Sequence, residues 1–124
     1  FRGGLFYKAW LVTREVEHHE TLAELSFADE GHAHIVMKKI IDQVSILINN
    51  NIFHVDLHPG NVLVASGDRV FLVDFDKARL FRGGKNKLRD HYLSRWRRAV
   101  IKHRLPGVLC DMMCAGLRND YKAG

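Results

Sequence analysis

Apolar residues recur at steps of three and four between residues 31 and 49, and this spacing predicts a helix. Its apolar stripe is wide, so we expect the helix to lie at the centre of the core. The members of the stripe are Val36, Met37, Ile40, Ile41, Val44, Leu47 and Ile48. A shorter helix is predicted to begin within 21–25, because Thr21 and Glu24 have the spacing of a capping box.

Two parts of the chain have the pattern of β-strands. Residues 5–13 are rich in aromatic and β-branched side chains and follow two glycines, which predicts a strand. Residues 62–65 and 70–73 are predicted to pair as a hairpin around the Ser-Gly-Asp turn at 66–68. The polar residues 14–20 are expected to be a connector.

The last third of the chain contains two further predicted helices. Residues 82–87 are expected to form a flexible basic loop, and a helix is predicted over 88–104. The apolar face of that helix comprises Leu88, Tyr92, Trp96, Ala99 and Val100. Pro106 and Gly107 stop it, and a final short helix is predicted over 108–117.

Composition limits the class of protein. With 124 residues, 47% hydrophobic and 27% charged, the chain is long enough for one globular domain. Cys110 and Cys114 do not form a disulfide framework or a zinc-like set, which fits a reducing, cytosolic compartment. The sequence predicts neither a signal peptide nor a membrane-spanning run.

His32 and His34, like the pair at 18–19, are not spaced for one helix face and are expected to be solvated.

Charge is divided unevenly along the chain. Residues 1–76 contain 6 Lys or Arg and 11 Asp or Glu, whereas residues 77–124 contain 13 and 3. A basic C-terminal third suggests an anionic partner, such as lipid headgroups, a phosphorylated glycan or nucleic acid. A solvated basic face is the simpler alternative and explains a charge run taken by itself.

The loop at 54–61 carries the candidate chemistry. Its sequence is His-Val-Asp-Leu-His-Pro-Gly-Asn, and Asp-Phe-Asp follows at 74–76, after the predicted hairpin. Phosphoryl transfer needs a carboxylate that orients the acceptor hydroxyl and oxygen ligands that hold magnesium. Asp56 and Asn61 can serve these two tasks from one loop, and Asp74 can complete the metal site. The alternative is that Asp56 and Asn61 only shape a turn.

Both segments match the kinase signature of H-x-D-L-x-x-x-N, a short hairpin and D-F-x. The loop is similar to that of aminoglycoside phosphotransferases and choline kinases. Residues 70–80 (Val-Phe-Leu-Val-Asp-Phe-Asp-Lys-Ala-Arg-Leu) resemble the bacterial lipopolysaccharide kinase family, which includes the 3-deoxy-D-manno-octulosonic acid (Kdo) kinases and the heptose kinases. Residues 5–25 resemble the inter-lobe strand, hinge and following helix of that family. The resemblance covers roughly residues 5–104.

The resemblance implies a role for each matched residue. Asp56 would be the catalytic base, and Asn61 and Asp74 would hold Mg²⁺ for ATP. The supporting residues beneath and beside the loop would be His54, Phe75 and Asp76. The nucleotide hinge would comprise Thr13, Arg14 and Glu15.

Departures from the protein-kinase pattern bear on the acceptor and on the fold. Asp76 stands where protein kinases have Gly, and no Ala-Pro-Glu segment follows it. The stretch 77–87 leaves little room for a regulated activation loop, so we expect a small or glycan acceptor rather than a protein. A Gly-rich phosphate loop and a strand lysine with its helix glutamate are also missing from the pattern.

The expected fold class is therefore α+β: a protein-kinase-like, mostly helical C-lobe with a small catalytic β-hairpin and the N-lobe largely absent. Residues 1–124 are expected to be a single domain. Within it, 1–20 would be the inter-lobe strand and hinge, 21–81 the core with the catalytic loop and metal aspartate, and 82–124 the basic C-terminal helices. Residues 1–124 alone are expected to bind Mg-ATP weakly and to transfer little phosphate. They would be part of a longer kinase or a natural remnant without activity.

The expected function is ATP-dependent phosphorylation of a sugar hydroxyl in the lipopolysaccharide inner core, at the cytoplasmic face of the bacterial inner membrane. The partner would be an inner-core sugar or a lipid A precursor, and no nucleic acid is expected. Arg95, Arg98 and Lys102 fall on one strip of the helix over 88–104. This strip is predicted to meet phosphorylated glycolipid or an anionic membrane surface, and an ordinary solvated face is the equal alternative.

Three other interpretations are compatible with the motifs. One is another small-molecule kinase of the aminoglycoside or choline type. A second is an atypical kinase of the quinone-biosynthesis group. The third, from a different class, is a non-catalytic kinase-like module that binds an anionic partner through its basic third. Magnesium-dependent nucleotide binding would separate the enzymes from the module.

Overall fold

The computed structural model describes residues 19–123, with side chains described through residue 118. The strand predicted over 5–13 and the hinge residues lie outside the described residues. The described chain is a mixed α+β structure that is mostly helical. Its helices are α1 (Leu22–Ala28), α2 (Glu30–Asn49), α3 (Lys85–Lys102) and α4 (Val108–Ala123). Its strands are β1 (His19–Thr21), β2 (Ile52–Phe53), β3 (Val62–Ala65), β4 (Arg69–Leu72) and β5 (Arg79–Leu80).

The starts of α1 and α2 follow from side-chain caps. The Glu24 N–H donates to Thr21 Oγ1 at 3.1 Å, and the Thr21 N–H donates to Glu24 Oε1 at 2.8 Å, so the predicted capping box is confirmed. The His32 N–H donates to Asp29 Oδ1 at 3.0 Å, which satisfies an amide at the start of α2. These caps set where the core helices begin.

Helix α2 lies at the centre of the core, as its wide apolar stripe predicts. Val36, Met37, Ile40 and Val44 are fully buried. Helix α4 packs closely against α2, because a Cβ added at Gly116 would lie 2.7 Å from the Ile41 side chain. None of the helices within residues 19–123 is long and apolar enough to cross a membrane.

A small sheet lies beside the segments that carry the candidate chemistry. Its strand order is β1-β3-β4, and both pairings are antiparallel. Gly67 and Asp68 adopt left-handed φ values of 75° and 58° in the turn of the predicted β3–β4 hairpin, which is confirmed. Strands β2 and β5 form a second, two-stranded sheet. Together the two sheets hold the loop at 54–61 next to the end of β4.

The observed elements differ from the predicted ones at several places, including the end of α3 at Lys102 rather than residue 104 and the bounds of β4 at 69–72 rather than 70–73. The predicted loop 82–87 is wrong in its second half, because α3 begins at Lys85. The first turn of α3 is polar, so the apolar periodicity that predicted the helix begins only at Leu88. Helix α4 extends to Ala123, beyond the predicted end at 117. Residues 19–20, predicted as connector, belong to β1 and pair with β3.

Candidate active site

The predicted catalytic loop, residues 54–61, is anchored by a tyrosine of α3. The Tyr92 hydroxyl donates to the Ile52 carbonyl at 2.6 Å and accepts the His54 N–H at 2.8 Å. Tyr92 is buried, and this burial raises the pKa of its hydroxyl, which stays protonated and able to donate. The single hydroxyl therefore fixes the backbone at the point where β2 passes into the loop.

His54 lies beneath the loop and connects it to the Asp-Phe-Asp segment. Its side chain is 1% exposed, and its Nε2 lies 2.7 Å from the Val73 carbonyl oxygen. The His54 ring packs against buried Phe75 at an interplanar angle of 55°, with ring centroids 4.5 Å apart. Burial lowers the pKa of His54 and favours the neutral ring. Through these contacts His54 and Phe75 connect the loop at 54–61 with the Asp-Phe-Asp segment; their supporting role in catalysis stays a prediction.

Asn61 ties three parts of the site together. Its Nδ2 donates to the Asp56 carbonyl at 2.8 Å and lies 3.5 Å from Asp74 Oδ2. Its own carbonyl accepts the Val73 N–H at 3.0 Å. His58 caps the short turn that carries Asn61, because its Nδ1 accepts the Gly60 N–H at 3.0 Å. The spacing of five residues between Asp56 and Asn61 thus folds both residues into one compact loop.

Asp74 stands just beyond β4 in a left-handed backbone conformation, with φ at 67°. Aspartate tolerates this region better than most residues, although such a residue still costs about 1–3 kcal/mol. The conformation directs the chain out of the sheet while Phe75 returns to the core. Asp74 remains exposed at the mouth of the site, where a ligand can reach it.

An acidic cleft of about 210 Å³ opens in front of these residues. We call it the acidic cleft; its lining is Val55, Asp56, Asp74, Asp76, Lys77 and Arg95. It brings together the predicted catalytic base and the predicted metal ligand Asp74. Asp76 lies at the same cleft, exposed beside Lys77.

Arg95 reaches the catalytic loop, a contact that sequence reasoning missed. Its Nη2 forms an ion pair with Asp56 Oδ1, although the two residues are 39 positions apart. This hydrogen bond is the main reason why the pKa of the Asp56 carboxyl is lower than usual. The pair keeps Asp56 ionised, as a proton acceptor must be.

A second cleft shares the Asp56–Arg95 pair with the acidic cleft. We call it the basic cleft; it has a volume of about 290 Å³. Its lining is Asp56, His58, Arg95, Arg98, Ala99, Lys102 and His103. The strip predicted to meet an anionic partner thus borders the catalytic loop, which the helical spacing alone did not indicate.

The donor groups of Asp74, which lines the acidic cleft, and of neighbouring Asn61, which does not, fit magnesium bound together with a nucleotide. Asn61 Nδ2 faces Asp74 Oδ2, and the oxygen ligands that the two residues can offer Mg²⁺ are the amide Oδ1 of Asn61 and the carboxylate of Asp74. Within the described residues, no group of three or more His, Cys, Asp or Glu could hold a metal. That arrangement is compatible with Mg²⁺, which commonly takes one or two protein ligands and completes its shell with phosphates and water.

Two further outcomes concern the hinge residues and Tyr92. The hinge residues Thr13, Arg14 and Glu15 lie outside the described residues. Tyr92 was predicted only as part of an apolar helix face, and its hydrogen bonds to the loop were missed. A buried tyrosine normally finds a partner for its hydroxyl, and this rule was the signal that could have indicated the contact.

The loop, the hairpin and the Asp-Phe-Asp segment indicate a kinase-like protein. Comparison of the sequence with known proteins agrees with this class. The model of the lipopolysaccharide kinase (Kdo/WaaP) family matches residues 1–109. The chain therefore belongs to the lipopolysaccharide kinase (Kdo/WaaP) family.

Several protein kinases are similar to the chain over shorter spans. Cyclin-dependent kinase-like 2 from Homo sapiens is 31% identical over 96 residues, which cover 74% of this chain and 20% of that protein. Mitogen-activated protein kinase 7 from Arabidopsis thaliana is 27% identical over 81 residues, covering 65% and 22%. Cyclin-dependent kinase 20 from Danio rerio is 36% identical over 64 residues, covering 51% and 19%. The chain spans about a fifth of the length of these curated relatives.

Proposed function

We propose that this protein contributes the catalytic loop and metal-binding residues of an ATP-dependent kinase that phosphorylates a sugar hydroxyl of the lipopolysaccharide inner core. The observation that carries the proposal is the convergence of Asp56, Asn61 and Asp74 on one small region. The family match supports this type of acceptor, an inner-core sugar or a lipid A precursor.

Asp56 is the proposed proton acceptor. The acceptor hydroxyl oxygen would attack the γ-phosphorus of ATP while the bond from that phosphorus to the ADP oxygen breaks. The hydroxyl proton would pass to Asp56. Arg95 binds Oδ1 of the Asp56 carboxylate. The other oxygen, Oδ2, is the one with which Asp56 can accept the proton. General-base assistance of this kind contributes roughly 10²–10⁴ in rate.

Asn61 and Asp74 are the residues that would hold Mg²⁺. The ion, when bound, neutralises charge on the phosphates. Asn61 is fixed by its bond to the Asp56 backbone, and Asp74 by its position immediately after the hairpin. The two residues are therefore held close together, with Asn61 Nδ2 3.5 Å from Asp74 Oδ2. The proposed fold around them is a kinase-like C-lobe in which most of an N-lobe is missing from the 124 residues.

The direct test is a transfer assay with the full-length protein. Purified protein would be incubated with Mg-[γ-³²P]ATP and with a deacylated lipopolysaccharide inner-core glycan. We expect label in the glycan, dependent on magnesium and lost in Asp56→Asn. The matched control is Asp90→Asn, which removes an exposed carboxylate on α3 away from both clefts. Mg-ATP binding without any labelled glycan would reject the inner-core acceptor.

A protein hydroxyl is the second candidate acceptor, because the relatives described above are named as protein kinases. The same assay separates the two by replacing the glycan with casein. Labelled casein with unlabelled glycan would favour the second candidate. Asp76, which replaces the Gly of protein kinases, is the feature that favours the glycan.

The proposal also includes a location. An inner-core acceptor places the protein in the cytoplasm, peripherally on the cytoplasmic face of the bacterial inner membrane. The excess of basic residues after residue 76 supports contact with that anionic surface. Co-fractionation of the full-length protein with inner membranes, and its release by high salt, would test this location.

A further inference from the structure

The basic cleft holds more positive charge than its own carboxylate neutralises. Arg95, Arg98 and Lys102 are cationic at neutral pH, and Asp56 is the one acidic residue of the lining. Arg95 pairs with Asp56, whereas Arg98 and Lys102 form no ion pair within residues 19–118. Guanidinium and ammonium groups that converge in this way bind phosphate and carboxylate groups well.

The basic cleft is connected to the proposed chemistry through two shared residues. Asp56 and Arg95 line both the basic and the acidic cleft. A molecule in the basic cleft can therefore touch the same carboxylate that lines the acidic cleft together with Asp74. This position is where the acceptor of the phosphoryl group must lie, because its hydroxyl has to reach Asp56.

The cationic residues of the basic cleft follow one another along α3. Arg98 and Lys102 follow Arg95 by three and seven residues, which corresponds to rises of roughly 4.5 and 10.5 Å along α3. An anionic group held by Arg98 and Lys102 would thus lie further along α3 than the Asp56–Arg95 pair. His103, at the far end of the lining, can add a hydrogen bond to it.

We infer that the basic cleft is a subsite for an anionic group, a phosphate or a carboxylate, that the acceptor already carries before it is phosphorylated. This inference rests on the proposed function and specifies its substrate class. A membrane surface fits the cleft less well than a single anionic group, because the cationic side chains line a recess shared with the catalytic carboxylate. The subsite would select acceptors that carry negative charge near the reacting hydroxyl.

The inference can be tested by binding of two small anions to the full-length protein without metal. Inorganic phosphate and acetate would be titrated separately while the ring signals of His58 and His103 are followed by NMR. We expect Arg98→Gln/Lys102→Gln to raise the dissociation constant of at least one anion by roughly tenfold or more. Binding of phosphate alone would identify a phosphorylated acceptor, and binding of acetate alone a carboxylate-bearing one.

The matched control is Arg97→Gln/Lys87→Gln. It removes the same charge from the same helix at exposed positions that do not line the basic cleft. An equal loss of anion affinity in the control, or no loss in Arg98→Gln/Lys102→Gln, would overturn the subsite. The same variants would be sedimented with phosphatidylglycerol vesicles. Loss of vesicle binding with unchanged anion binding would assign these residues to a membrane surface instead.

Binding of Mg-ADP to the same proteins distinguishes the subsite from the function on which it rests. A wild-type protein that does not bind Mg-ADP would reject the proposed kinase, whatever the anion titration shows. Mg-ADP binding that is intact in Arg98→Gln/Lys102→Gln, together with weakened anion binding, supports the subsite. Intact Mg-ADP binding with unchanged anion binding rejects the subsite alone.

Discussion

Arg95 of α3 binds the carboxylate of Asp56 in the catalytic loop, and this ion pair joins the basic C-terminal helices to the site. Both side chains are about two-fifths exposed. An ion pair that is this exposed to solvent contributes little to stability. Its importance lies in orientation, because Arg95 fixes one oxygen of the carboxylate that we propose as proton acceptor.

Arg95→Gln in the full-length protein is therefore expected to lower kcat by roughly tenfold to a hundredfold, since small displacements of a catalytic group are costly. The dissociation constant of Mg-ADP should not change, because Arg95 is not among the proposed metal ligands. Arg95→Lys should restore only part of kcat, since an ammonium lacks the planar fork of arginine. Steady-state kinetics and calorimetry would measure both quantities, and a parallel loss of Mg-ADP binding would contradict a positioning role.

Asp56→Asn should reduce turnover by roughly 10²–10⁴. The asparagine keeps the size of the side chain and can still accept a hydrogen bond from Arg95, but it cannot take the hydroxyl proton. Mg-ADP affinity should be retained. Single-turnover measurement of phosphate transfer is the test, and near-normal turnover would remove Asp56 from the mechanism.

Asp74→Ala and Asn61→Ala should act through magnesium. Asp74→Ala is expected to abolish transfer and to weaken ADP binding more strongly with Mg²⁺ than without it, because the carboxylate is a preferred Mg²⁺ ligand. Asn61→Ala should raise the magnesium concentration needed for half-maximal activity. Titration of Mg²⁺ at fixed ADP would measure both effects. Asp111→Ala, an exposed change on α4, is the control. Identical metal dependence in all variants would reject the metal site.

Tyr92→Phe should destabilise the protein by about 1–3 kcal/mol, because two buried backbone groups lose a hydrogen-bond partner. These groups are the His54 N–H and the Ile52 carbonyl. Urea denaturation would report the free energy of unfolding. A midpoint equal to that of the wild type would show that water replaces the hydroxyl without cost.

The turn between β3 and β4 should make stability depend on pH. His32 Nε2 lies 2.5 Å from Asp68 Oδ1, and this hydrogen bond raises the pKa of His32 above its ordinary 6.5. Because the folded pKa is the higher one, the contribution is complete below the unfolded pKa and is lost as pH rises through the folded pKa.

Melting temperatures at about pH 5.5 and pH 8 would test this dependence. Asp68→Asn should lower the melting temperature more at the acidic pH than at the alkaline one. Asparagine also tolerates the left-handed conformation of residue 68, so the backbone effect is small. His34→Gln, at an exposed position of α2, is the control for loss of a histidine. Equal effects of Asp68→Asn at both pH values would contradict the proposed linkage.

The prediction that His32 is merely solvated was wrong, because His32 is hydrogen-bonded to Asp68. His32 meets Asp68 across 36 residues, because α2 packs against the hairpin turn. Lys39 of the same helix donates to the Asp68 carbonyl at 2.8 Å. Helical spacing describes which residues share a face, but it does not say what lies opposite that face.

The amino-acid sequence by itself determined the local features of this protein. Periodicity predicted the core helix α2, the capping box predicted the start of α1, and the motif spacing predicted that Asp56, Asn61 and Asp74 lie near one another. These features depend on residues close in sequence or on a continuous pattern. Only the tertiary structure decided that Arg95 binds Asp56, that Tyr92 holds the catalytic loop and that the basic strip of α3 lines a cleft at the site. Each of these contacts joins residues about 40 positions apart, and their geometry depends on how α3 packs against the loop, which leaves no periodic signal in the chain.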